Sequence, residues 1–257
     1  MEFEDKVVVI TGASSGIGAA CAVEFAKLSA KLSLIGRNKE NLAKVSDQCQ
    51  KINGLTALIV TADISVKDDV DRIVQETINY FGKIDILVNN AGMCVMAKTQ
   101  NGIEAFDRVM GINVRGTFLL TDKIIPYLIQ SKGNIVNISS ILSTKPISSM
   151  TAYCMSKAAI DMFTKCAALE LGSKGVRVNS VNPGATRTNI FLSAGLSKEE
   201  NEEIFQLYGT AAPLKKVTQA EDVANIVVFL ASNKAKCVTG SRYIVDCGAL
   251  ISEDMTN

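Results

Sequence analysis

The stretch Lys6-Val-Val-Val-Ile-Thr-Gly-Ala-Ser-Ser-Gly-Ile-Gly18 decides how the chain is read. An apolar run from Lys6 to Thr11 has the length and β-branched content of a strand. It breaks into a turn with three glycines, after which a helical pattern runs from Gly16 to about Leu28. Gly12, Gly16 and Gly18 let the backbone turn sharply, approach a pyrophosphate and pack the next helix closely, while that helix's first N–H groups face the anion. Glycine-rich turns are common after strands. This one gains weight as the first strand–helix junction of the chain.

Outward from it, short Val/Ile/Leu runs alternate with longer helical patterns. Strands are expected at Leu32–Ile35, Leu55–Thr61, Ile84–Val88, Asn134–Ser139, Val176–Val181 and Arg242–Val245. Helices are expected through Leu42 and Val45, from Ser65 to about Tyr80, over Ile103–Gln130, from Tyr153 to about Gly172, and over Ala220–Leu230. Ser65-Val-Lys-Asp68 has the form of a capping box, and Pro126 is expected to bend or end its helix. The strand runs are continuously apolar, as when helices cover both faces of a sheet. The expectation is an α/β chain forming one doubly wound, Rossmann-type domain over residues 1–257, with a parallel seven-stranded sheet and helices on both faces. Residues 185–217 read as a loop and helix region covering a substrate.

In such sheets ligands lie beyond the carboxyl ends of the strands. The second strand ends in Ile35-Gly36-Arg37-Asn38. An acidic residue there would accept from the adenosine ribose of NAD; Gly36 cannot, and Arg37 offers a forked cation for a 2′-phosphate. That favours NADP(H) and leaves NAD(H) possible, with Asn38 readable as a helix cap. Asp63, after the third strand, suits an adenine amino group or a helix-start carboxylate. Asn89-Asn90-Ala91-Gly92, Ser139-Ser140 and Asn182-Pro183-Gly184, the last followed by Ala185-Thr186-Arg187-Thr188, complete six small or polar strand ends in succession.

Thr151-Ala-Tyr-Cys-Met-Ser-Lys157 then acquires meaning. Tyr153 and Lys157 stand four apart and share a helix face, so phenol and ammonium address one spot. The pair alone is weak. The chain has no histidine, however, which removes Ser-His triads, imidazole catalysis and His-ligated metals; proton transfer must come from Tyr, Lys, Asp, Glu or Cys. A cation close to the phenol is expected to favour the tyrosinate. The seven cysteines are scattered and never spaced C-x-x-C, so neither zinc nor a disulfide framework is expected. A formal net charge of +1 gives no reason to expect nucleic acid or an anionic membrane as partner. No apolar run approaches the ~18 residues of a membrane span. The first residues carry no signal region and the final Asp-Met-Thr-Asn no lipidation or peroxisomal signature, so a cytoplasmic protein is expected.

Thr11–Gly18, Asn89–Gly92, Asn113, Ser140, Tyr153, Lys157 and Pro183–Gly184 together resemble the short-chain dehydrogenase/reductase family, in its compact branch of roughly 250 residues. The match is in order and spacing over nearly the whole chain. The resemblance implies that Tyr153 is the catalytic acid/base, Ser140 bonds the substrate oxygen, Lys157 holds the nicotinamide ribose, and Asn113 fixes a relay water. It implies that Gly12, Ser14, Ser15, Gly16, Ile17 and Gly18 cradle the phosphates and that Arg37 and Asn38 lie at the adenosine ribose. Asp63 and Ile64 would meet the adenine, and Asn90, Ala91 and Gly92 the neighbouring ribose and backbone. Pro183, Gly184, Thr186 and Thr188 would line the nicotinamide, with Thr188 on its carboxamide.

Two departures stand out: Asp246-Cys-Gly248 replaces the family's common Asp-Gly-Gly, and Ser15 stands where many NADP-preferring members carry a basic residue. Phe191, Leu192, Ile204, Phe205, Tyr208, Met93, Cys94, Val95, Met96, Ile141 and Leu142 point to a small apolar carbonyl or alcohol substrate. A 3-oxoacyl group on a carrier protein would need a basic docking patch, for which Lys132, Lys174 and Arg177 are the candidates. A dinucleotide sensor without turnover is the alternative from another class; the complete Ser140–Tyr153–Lys157 set argues against it. The helix from Tyr153 to Leu171 is apolar almost all round, so part of it is expected to meet another subunit, and the resemblance implies a homodimer or homotetramer.

Overall fold

The computed structural model describes residues 2–252; the terminal Asp254-Met-Thr-Asn257 read above lies outside them. Seven strands run β1 (Val7–Thr11), β2 (Lys31–Gly36), β3 (Leu58–Thr61), β4 (Ile86–Asn89), β5 (Asn134–Ile138), β6 (Arg177–Pro183) and β7 (Arg242–Val245). They form one parallel sheet in the order β3-β2-β1-β4-β5-β6-β7. The chain reverses direction across the sheet between β1 and β4, which opens a crevice at their carboxyl ends.

The pleat distributes β1 between two cores. Val8 and Ile10 join Phe25 of α1 (Gly16–Lys27), Leu42 of α2 (Lys39–Asn53) and Val227 of α9 (Ala220–Ala231). Val9 faces the other way, toward Ile73 of α3 (Lys67–Phe81), Ile124 of α5 (Thr117–Ser131) and Ala167 of α6 (Thr151–Leu171). Full burial on both faces is why β1 and the other inner strands show no polar alternation.

Three local expectations are corrected. Helix α3 begins at Lys67 behind Val66 with no side-chain cap; Ser65 instead donates its hydroxyl to Asp63 Oδ1 at 2.7 Å, so no capping box forms. Pro126 sits inside α5, which continues to Ser131. The break in the long helix comes earlier, where α4 (Ile103–Met110) passes through a π-helical turn, Gly111–Gly116, before α5 begins. The cover after β6 resolves into α7 (Ile190–Ser193) and α8 (Lys198–Ala211), the latter started by a capping box between Ser197 and Glu200. Among the described residues, no helix is long and apolar enough to cross a membrane.

Candidate active site

The glycine turn is held from β4. Thr11 Oγ1 accepts from the N–H groups of Asn90 and Ala91, both at 2.9 Å, and the Asn90 side-chain amide donates to the carbonyls of Thr11 and Gly12. Gly12 has φ +65°, and a Cβ there would stand 2.7 Å from Asn90 Nδ2; a Cβ on Gly18 would run into the Gly12 carbonyl. Only glycine fits both places. Ser15 enters α1 in extended conformation without capping it, leaving the first-turn N–H groups to face the crevice.

A cavity of about 660 Å³ runs from Arg37 and Asp63, past this turn, to Tyr153 and Thr188. Its wall includes Gly12, Ser14, Ser15, Gly16, Ile17, Asn90, Ala91, Gly92, Ser140, Lys157, Pro183, Gly184 and Thr186, together with Ile64. Three of the expected residues lie off that wall. Gly18 is packed against the turn; Asn38 caps α2, accepting from Asn41 N–H at 2.9 Å; and Asn113 lies behind Met93. Asn113, carried by the π-helical turn, accepts from Met93 N–H and donates to Met93 C=O and Ser156 Oγ. Arg37 is largely exposed and stands 3.6 Å from Asp63, so the two residues read separately as 2′-phosphate and adenine contacts form one ion pair.

At the inner end Tyr153 and Lys157 lie on the buried face of α6. Burial pushes the Tyr153 phenol up from its ordinary value, the nearby Cys94 and Cys154 thiols add to this, and a hydrogen bond with Ser140 opposes it. Burial also pushes Lys157 down, to about 8, against Asp161 and Cys94. The expected stabilisation of the tyrosinate by Lys157 is thus not what sets the phenol: loss of hydration dominates, and Lys157 Nζ donates to the Ile138 carbonyl at 2.8 Å. A phenol that holds its proton, a serine hydroxyl beside it and an ammonium one turn away can protonate a carbonyl oxygen as a hydride reaches its carbon.

The cover meets the cavity only in part. Ile190, Phe191 and Tyr208 line it, with Met93, Cys94, Ile141, Leu142 and Met150, whereas Phe205 is buried against Phe191 and the Arg187 guanidinium. Sequence reasoning missed Met150 and Ile190, which carry no signal apart from their place beside named loops. It also missed the network of Asp161 behind Lys157, where a buried carboxylate at i+4 was the available clue. Arg177 is turned inward onto the carbonyls of Leu230, Ala231, Ser232 and Val238, which removes it from any docking patch.

A parallel sheet with a glycine-lined cradle at its reversal point and an uncharged acid at the cradle's end defines a dinucleotide-dependent oxidoreductase. A family model described as Enoyl-(Acyl carrier protein) reductase matches residues 12–249. Glucose 1-dehydrogenase of Gluconobacter oxydans is 34% identical over 99% of this chain and 96% of its own. A short-chain dehydrogenase/reductase of unknown function from Caenorhabditis elegans, solved with cofactor, superposes with TM-score 0.94 at 31% identity, covering 98% of this chain and 97% of that one. L-sorbose reductase of Gluconobacter frateurii, solved with NADPH and L-sorbose, gives 0.90 at 32%, covering 97% and 98%. The chain belongs to the short-chain dehydrogenase/reductase family, and it is an oxidoreductase acting on CH–OH groups with a nicotinamide cofactor.

Proposed function

We propose that the protein interconverts an apolar ketone or aldehyde and its alcohol with NADP(H), Tyr153 serving as the acid/base. The observation that carries this is the Ser140–Tyr153–Lys157 set on the wall of the same cavity as the glycine turn. The residues fit the cofactor: the Gly12–Gly18 turn and the α1 N-terminus suit the pyrophosphate, Lys157 the nicotinamide ribose, and Thr188 the carboxamide. The bound nicotinamide supplies or accepts the hydride. Tyr153 holds the proton for the carbonyl oxygen and Ser140 orients that oxygen. Asn113, fixed by Met93 and Ser156, has the role of positioning a relay water beside Lys157.

Arg37 supports NADP(H) over NAD(H), because its guanidinium stands free of helix caps at the end of β2 and Gly36 supplies no carboxylate for a ribose diol. The wall formed by Cys94, Ile141, Leu142, Met150, Phe191 and Tyr208 carries no charged side chain, which favours an apolar substrate over an ionised one. A carrier-protein substrate loses support with the inward turn of Arg177. Exposed Phe118, Met155, Met162 and Leu169 along α5 and α6 support a homodimer or homotetramer, and seven free thiols suit the cytoplasm.

The test is Tyr153→Phe, assayed with NADPH across a panel of hydrophobic ketones. Turnover falling by at least about 10²-fold with NADPH binding retained supports the assignment; turnover at the parent rate overturns it.

A further inference from the structure

We infer that Asp161 is a positioning residue for the catalytic set, its carboxylate holding the Asn182 amide against the Ser140 segment and supplying the negative charge that faces Lys157. Asp161 lies one turn beyond Lys157 on the same buried face of α6 and is 6% exposed. None of the roles proposed above involves it.

Its contacts tie three elements together. Asn182, near the end of β6, donates from Nδ2 to Asp161 Oδ2 at 2.9 Å and Oδ1 at 3.1 Å. The same nitrogen reaches the Ser140 carbonyl at 3.0 Å and Ser143 Oγ at 3.2 Å. Two protons thus face four acceptors, so the amide is shared between α6 and the segment carrying Ser140. Ser180 closes the ring, its single hydroxyl proton shared between Asn182 Oδ1 at 2.9 Å and Asp161 Oδ1 at 3.3 Å. On the outer side Arg242 of β7 meets Asp161 Oδ2 at 3.3 Å, with about a third of its side chain exposed.

A carboxylate this deep needs compensating charge and hydrogen bonds. Arg242 and the Asn182 amide supply them without cancelling its field at Lys157. Among groups packed on Lys157, Asp161 favours its ammonium most, and Cys94, from the loop after β4, adds less. Tyr153, one turn toward the N-terminus, keeps its proton and contributes no charge. The ammonium donates to a ribose hydroxyl more strongly than the neutral amine does, so Asp161 extends cofactor binding toward alkaline pH. Arg242 works against it by neutralising Asp161 from outside.

This rests on the assignment of Lys157 to the cofactor ribose. The experiment is NADPH affinity by fluorescence titration between pH 6.5 and 9.5 for the parent, Asp161→Asn, Arg242→Gln and Lys157→Met, each checked for folding by thermal unfolding. Affinity in the parent should fall with a midpoint near 8. In Asp161→Asn the midpoint should drop by about one pH unit, whereas in Arg242→Gln it should rise. A purely structural ring would weaken both variants at every pH and leave the midpoint in place, which overturns the inference. If Asp161→Asn does not fold, Arg242→Gln decides: a higher midpoint supports the role, an unchanged or lower one overturns it. Lys157→Met binding NADPH as the parent does would remove the ribose assignment and this inference together. An intact Lys157→Met defect with an unmoved Asp161→Asn midpoint removes this inference alone.

Discussion

Lys157 Nζ stands 5.5 Å from the centre of the Tyr153 ring and gives its hydrogen bond to the Ile138 carbonyl. The ammonium therefore lies over the face of the phenol, anchored to the end of β5. Burial acts oppositely on the two: each is driven toward its neutral form, so the phenol binds its proton more tightly and the amine less.

That has a consequence for stability. The folded Lys157 titrates at about 8, below its ordinary value of 10.5. Below pH 8 both folded and unfolded chains carry the proton and the buried charge is a cost. As pH rises from 8 to 10.5 the folded state sheds the proton first, so Lys157 adds stability through that window. Urea unfolding of the parent and of Lys157→Met should differ least at the alkaline end. A difference independent of pH would show that Lys157 does not titrate there.

Arg37→Gln should lower NADPH affinity by roughly tenfold and leave NADH nearly unchanged, since only the former has a 2′-phosphate for the guanidinium. The 3.6 Å pairing with Asp63 tempers the preference, because the same cation must leave or share its carboxylate. Asp63→Asn should accordingly raise NADPH binding or leave it level. Paired titrations with both cofactors check both statements.

Gly12→Ala should weaken cofactor binding by at least tenfold and destabilise the fold by about 1–3 kcal/mol. The added Cβ meets a left-handed backbone and the Asn90 amide at once. Chemical denaturation and NADPH titration of the same sample separate the two effects.

The buried amide pair across β4 and β5 is equally checkable. Asn89 and Asn137 are register partners, with Asn89 Nδ2 donating to Asn137 Oδ1 at 2.9 Å and, on the helix side, to Thr121 Oγ1 at 3.0 Å. Asn137 continues the chain to Thr164 Oγ1 of α6 at 2.9 Å. Asn137→Ala removes a bond to each neighbour and should cost about 2–3 kcal/mol, against about 1 kcal/mol for Thr164→Val, which loses the bond from Asn137 and one back to the Ile160 carbonyl of its own helix. Equal losses on denaturation would mean that the chain of bonds is not continuous.

Maleimide should label the exposed Cys237 first, whereas Cys166 shares the outer face of α6 with Met162 and Leu169 and is covered in the proposed oligomer. Cys94 and Cys49, pushed up to about 11 by burial, should remain unlabelled at neutral pH, as should the buried Cys21. Peptide mass mapping after brief labelling reads this directly; early modification of Cys94 would contradict it.

The sheet was legible because its inner strands are buried on both faces, so hydrophobicity alone marked Val7–Thr11 and the strands beside it. Arg242–Val245 matched to the residue. What escaped was set by contacts outside the local sequence. Ser65 looked like a cap until Asp63 took its hydroxyl, and Pro126 looked like a bend or a stop, of which α5, carrying on to Ser131, rules out the stop. The residues of the candidate site were legible at strand ends, where small side chains admit a ligand. Their couplings were not. Arg37 with Asp63, and Asp161 with Asn182, join residues 26 and 21 positions apart through the fold.

The π-helical turn at Gly111–Gly116 carries a surplus residue. A helix that closes its hydrogen bonds over five residues holds one more than the same rise needs. Deleting a single residue between Met110 and Thr117 would restore a regular helix and rotate Asn113 by about 100° away from Met93. Gly116, whose bare Cα passes the Ile64 carbonyl, would leave its place in the same movement. That side of the pocket is therefore encoded in the length of a segment as well as in its letters, and a substitution scan that never changes the count would pass over it.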